Sequence, residues 1–174
     1  MFDATLFRLA AAAALLAGAM RMVVTFTSGM LTANQAELVY LLVDLLAVFA
    51  LMGIYFRHRQ RLGFLGLAAF AVALSGAASI VGPDGTLFGA SLYGVGSILL
   101  LTGLAGLGAL MLRVHGASRL APTLWIAAWL CVLASPTFAL LAQVGGFLYG
   151  LGLFIAGTAL GSGLPGGDSK RPLP

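Results

Sequence analysis

Residues 36–56 read AELVYLLVDLLAVFALMGIYF, an apolar run whose middle is interrupted by a single charge, Asp44. The run reaches the ~20 residues that a helix needs to cross the hydrocarbon core of a bilayer. A carboxylate at that depth costs at least about 2.5–3.5 kcal/mol, so a compensating partner is expected elsewhere in the chain. Read as a spanning helix, this stretch decides the class of the whole protein.

Composition agrees with that reading along the full length. Of 174 residues, 61% are hydrophobic and only 8% charged, and the mean hydropathy is +1.07. A soluble domain carries about 25% charged residues; here too few polar side chains exist to cover a surface facing water. The expected fold is therefore all-α, a polytopic integral membrane protein. The formal net charge of +4 does not imply a nucleic-acid partner, because the basic residues are confined by position. Apart from Arg21 they lie beside or between apolar runs, as Arg8, then Arg57, Arg59 and Arg61, then Arg113 and Arg119, and last Lys170 and Arg171. That is the distribution of cytoplasmic loops under the positive-inside rule.

Six spans are predicted, near 6–28, 36–56, 62–81, 88–112, 120–141 and 144–162, forming one transmembrane domain over 1–162. Both termini and both basic loops then fall on the cytoplasmic side, and the opposite loops contain no Lys or Arg. Gly82-Pro83-Asp84-Gly85 has the composition of a tight turn between the third and fourth spans, and Pro136 is expected to kink the fifth. The stretch from Arg8 through Ala17-Gly18-Ala19 imitates a cleavable signal, but the apolar pattern resumes from Arg21 to Phe26, which favours an uncleaved first span. Trp125 and Tyr55 are expected at the inner interface and Tyr40, Tyr93 and Tyr149 at the outer one, as amphipathic rings at headgroup level. Residues 163–174 (GLPGGDSKRPLP) form a Gly- and Pro-rich tail expected to lack structure of its own. The build is similar to that of many small bacterial membrane proteins, which implies an inner-membrane location.

Depth arithmetic supplies Asp44 with a partner. Counted from Arg8 in the first span and Arg57 in the second, Arg21 and Asp44 each lie about 4 Å outward of the bilayer midplane. Opposite charges at matched depth on adjacent antiparallel spans predict an ion pair facing the bundle interior. It reads either as a lock between the two spans or as a proton, ion or solute site.

Glycine placement predicts how the helices pack. Gly146, Gly150, Gly157 and Gly161 share one face of the last span and form two G-x-x-x-G motifs, the spacing that allows close backbone approach in lipid. Gly89, Gly96 and Gly103 recur at heptad spacing in the fourth span. These seams read as internal packing or as an interface with a second copy or a larger complex. The arginines of the basic loops, Arg57, Arg59, Arg61, Arg113 and Arg119, are candidates for contact with anionic lipid or an acidic partner.

No catalytic, metal or cofactor site is expected. His58 and His115 have no Cys or carboxylate neighbours for a metal, and both lie a bilayer away from Ser91, so a nucleophile–base pair is excluded by reach. Lys170 is the only lysine and lies in the tail, which excludes a retinal Schiff base. Cys131 is the only cysteine, so no intrachain disulfide forms. Two functional expectations follow. One is a non-catalytic accessory or assembly subunit that packs through its small-residue faces, as a homo-oligomer or within a larger membrane complex. The other is a small transporter or channel with Arg21 and Asp44 at its site.

Overall fold

The computed structural model describes residues 4–81, 86–87, 90–114, 119–136 and 138–162. It is all-α apart from a two-residue antiparallel pairing of β1 (Thr86–Leu87) with β2 (Ala90–Ser91). The helices are α1 (Ala4–Thr27), α2 (Ala33–Ile80), α3 (Leu92–Leu112), α4 (Leu120–Ala134) and α5 (Ala139–Ser162), with a 3-10 turn at Ser28–Met30. Among the described helices, four are long and apolar enough to cross a membrane: Ala4–Met30, Ala33–Ile80, Leu92–Leu112 and Leu140–Ser162.

The helix α2 is two legs rather than one rod. Gly63, with φ 60° and ψ −155°, breaks the helical path; only a residue without Cβ takes that conformation at little cost. The Tyr55 and Phe70 rings stack with centroids 4.3 Å apart. Along a straight helix those residues would be separated by roughly 22 Å, so the chain folds back at Gly63. The expected loop at 57–61 is thus helical, and the reversal falls on one residue after it. Three arginines in the last turns of the first leg and a glycine beyond its end suit a helix C-terminus, where cations meet the dipole and glycine takes the positive φ. At the other end of α2, the Thr32 backbone N–H donates to Gln35 Oε1 at 3.0 Å and caps the start.

Contacts at glycines fix the direction of each leg. Ala10 lies against Gly53, so α1 and the first leg of α2 are antiparallel; Gly76 meets Leu100 and Gly96, and Gly103 meets Ala69 and Ala73, so the second leg and α3 are antiparallel. Gly108 lies on Pro122, and Trp129 Nε1 donates to Thr102 Oγ1 at 3.0 Å, which runs α4 against α3. Gly145 meets Val132 and Ala128, and Gly152 meets Trp125, which runs α5 against α4. Finally α5 returns to α1. Six helical legs therefore alternate in direction, and the last closes on the first.

The pattern across each helix is that of a bundle with an apolar exterior. On α2, Leu41, Leu45, Phe49 and Met52 are exposed, while Val43, Asp44, Ala47, Ala50, Leu51 and Ile54 are buried. The charge is on the inside and the outer row, Leu41, Leu45, Phe49 and Met52, is large and apolar, the reverse of a helix in water. An exterior of this kind is compatible with a membrane location.

Three helix boundaries differ from those expected. The helix expected over 120–141 ends at Ala134, and the next begins at Ala139 rather than at 144. Pro136 lies between them and ends α4 instead of kinking it, since a proline has no N–H to continue the ladder. At 15 residues, α4 is about 22 Å long. The fourth helix starts at Leu92 rather than 88. Gly82-Pro83-Asp84-Gly85, His115, Gly89 and the tail 163–174 lie outside the described residues.

Candidate functional site

Register brings Arg21 and Asp44 to one level. Starting from the Ala10–Gly53 contact, Arg21 is eleven residues further along α1 and Asp44 nine residues back along α2, so their levels differ by about 3 Å. Asp44 is 8% exposed, the one charged residue buried among the described residues. The two charges act on each other electrostatically, but no guanidinium–carboxylate contact of ion-pair length joins them among the described residues. Nor does a hydrogen bond reach the Asp44 carboxylate among those residues.

Tyrosines from three other positions complete the cluster. The Arg21 guanidinium sits over the Tyr40 ring, 5.3 Å from its centroid, a distance at which a cation is attracted to the ring face. Tyr93 lies within electrostatic reach of Arg21. Tyr149 on α5, 5% exposed, lies within electrostatic reach of Arg21, Asp44 and Tyr93. Even so, Arg21 Nε is buried with no hydrogen-bond partner. Gly146 stands beside it: a Cβ added there would be 3.5 Å from Nη2 and 3.4 Å from Thr25 Oγ1. The Thr25 hydroxyl itself donates to the Arg21 carbonyl at 2.8 Å and is occupied.

The tyrosines are what the sequence reading missed. Expected at headgroup level, Tyr149 is buried in the core and Tyr40 is half-buried beneath Arg21, while Tyr93 is 38% exposed. Tyr40 precedes Asp44 by four residues and so shares its helix face, a signal that was readable. Tyr93 and Tyr149 come from distant helices and carry no such signal. Trp125 and Tyr55, expected at the inner interface, are likewise buried against other helices. Trp125 has 0% exposure and Tyr55 8%. Glycine 152, lacking a side chain, makes room for the indole, whose Nε1 finds no acceptor.

The small-residue faces are occupied within the chain. A Cβ on Gly18 would lie 2.5 Å from the Gly150 carbonyl oxygen, and one on Gly150 would lie 2.9 Å from that of Gly18. Gly157 meets Ala11 and Leu15, and Gly161 approaches Ala11. On α3, Gly96 meets Gly76, Ser79 and Ile80, and Gly103 meets the second leg of α2. Opposing the α5 glycines on α1 are Ala11 and Gly18, within a series of buried small residues, Ala10, Ala11, Ala14, Ala17 and Gly18, that the sequence does not single out. The loop arginines Arg57, Arg59, Arg61, Arg113 and Arg119 are all exposed, and Arg59 lies over the Phe56 ring at 5.7 Å. The described residues contain no group of three His, Cys, Asp or Glu side chains able to hold a metal ion.

Comparison with known proteins identifies no relative: no family model matches the chain, and neither a curated protein nor a solved structure is significantly similar to it.

Proposed function

We propose that the protein is a non-catalytic, six-span membrane protein of the bacterial inner membrane, with both termini cytoplasmic. Its Arg21–Asp44 cluster is a solute-binding site of the kind found in small transporters and channels. The observation that carries this reading is the state of Asp44: a carboxylate in the bundle interior, at matched level with Arg21, that neither touches the guanidinium nor accepts a hydrogen bond among the described residues. A purely structural lock closes such a pair to contact, because separation in a low-dielectric interior leaves both desolvation costs poorly compensated. Ionisable groups within a membrane bundle mark substrate and ion pathways as a rule.

Packing lends indirect support. The α5 glycine stripe rests on α1, so it is not a spare surface for a partner. The accessory-subunit reading keeps one favouring observation, the shortness of α4. At about 22 Å it falls short of a hydrocarbon core of ~30 Å, and association is one way in which short spans are accommodated. Its exposed Leu130 and Leu133 are where a second copy or a larger complex would sit; that reading requires a stoichiometric partner in mild detergent.

The solute-site reading is tested on the purified full-length protein by thermal unfolding against a panel of small anions, cations, zwitterions and neutral polar solutes. At least one class should raise Tm, and Arg21→Gln or Asp44→Asn should abolish the shift. A flat response to every class, or a shift that survives both substitutions, overturns it.

A further inference from the structure

The unmet hydrogen-bonding capacity of the cluster specifies a class of ligand. Arg21 Nε is a buried donor without an acceptor. Asp44, more than nine-tenths buried, is an acceptor without a donor among the described residues. The two groups ask for opposite chemistry. A guanidinium takes a carboxylate or another acceptor, and a carboxylate takes an ammonium or another N–H or O–H donor.

Charge balance narrows the choice. The site already sums to zero, one positive and one negative group. A lone anion bound to Arg21 would leave Asp44 uncompensated and add a net negative charge, and a lone cation on Asp44 would do the converse. Either is unfavourable where the surroundings are apolar. A molecule that carries both charges satisfies each side and keeps the total at zero. The tyrosines suit such a guest. The Tyr93 and Tyr149 phenols can donate or accept, and the Tyr40 ring already faces a cation. Gly146 contributes no side chain where the guanidinium turns towards α5.

We infer that the Arg21–Asp44 cluster binds a small zwitterion, its carboxylate on the Arg21 guanidinium and its ammonium on the Asp44 carboxylate, within the tyrosines of α2, α3 and α5. This rests on the solute-site reading above and assigns its ligand class. A structural water bridging the two groups is the competing occupant, and it predicts no solute binding at all.

Equilibrium binding of radiolabelled L-alanine to the full-length protein in detergent tests the assignment. Unlabelled glycine should displace the label, whereas acetate and ethylamine, each carrying half of the recognition chemistry, should compete at least tenfold less well. Arg21→Gln and Asp44→Asn should each weaken alanine binding by tenfold or more. The competition series uses the unsubstituted protein, so it stands even if a variant fails to fold. Acetate or ethylamine binding as well as alanine, in a manner that depends on Arg21 or Asp44, would overturn the zwitterion while leaving a solute site in place. If no solute of any class binds, both readings fall.

Discussion

Asp44→Asn alone is expected to destabilise the protein more than Arg21→Gln and Asp44→Asn combined. The single substitution removes the negative charge and leaves Arg21 cationic in the bundle interior. Unit charges beyond contact distance attract by less than about 4 kcal/mol at an effective dielectric near 20, so the single variant should lose on the order of 1–3 kcal/mol even though the pair is not in contact. The Tyr40 ring beneath the guanidinium limits the loss but does not neutralise the charge. The double variant removes both desolvation costs together with their attraction, and breaking one half of a buried pair is worse than removing both halves. Unfolding free energies of the two singles and the double, in one detergent, close a double-mutant cycle. A double variant no more stable than Asp44→Asn would show that the two residues are not coupled.

Gly18→Ala should cost about 1–3 kcal/mol, the range for one methyl group forced into a filled interior. The added Cβ would lie 2.5 Å from the Gly150 carbonyl oxygen and 2.6 Å from the Phe154 nitrogen. Both are backbone atoms, so relief requires α1 and α5 to separate, which loosens the contact that closes the bundle. Gly94→Ala is the matched control: nothing lies within 4 Å of the position, and alanine is the better helix former. Thermal melts should show a lowered Tm for the first and an unchanged or raised Tm for the second. Equal effects would mean that the seam between α1 and α5 is not where these contacts place it.

How much was legible depended on whether the signal was local. The apolar runs and the matched level of Asp44 and Arg21 needed only residue counting along two adjacent helices; the ion pair expected from that match does not form as a contact among the described residues. The α1 alanines escaped notice because alanine is common in any helix, and only the opposing α5 glycines show which face they form. The α4 boundary failed because a proline in an apolar run reads equally as a kink or a stop, and packing against α5 decides between them. The burial of Tyr40 and Tyr149 was not legible for a general reason. An amphipathic ring suits both a headgroup region and a buried polar cluster, and the choice depends on what the other helices bring to the same level. The turn at Gly63 was hidden by three arginines that look like a loop and are in fact helical.

The account rests on a chain that reverses at Gly63 and puts Arg21 and Asp44 inside a membrane between the ends of the first two legs. Thiol labelling tests this most directly. In a Cys131→Ala background, Ser28→Cys and Gln60→Cys place single thiols at opposite ends of those legs, both at exposed positions. A membrane-impermeant maleimide applied to intact cells should label Ser28→Cys and leave Gln60→Cys unreacted until the membrane is permeabilised. Labelling of both positions from the same side would contradict the account.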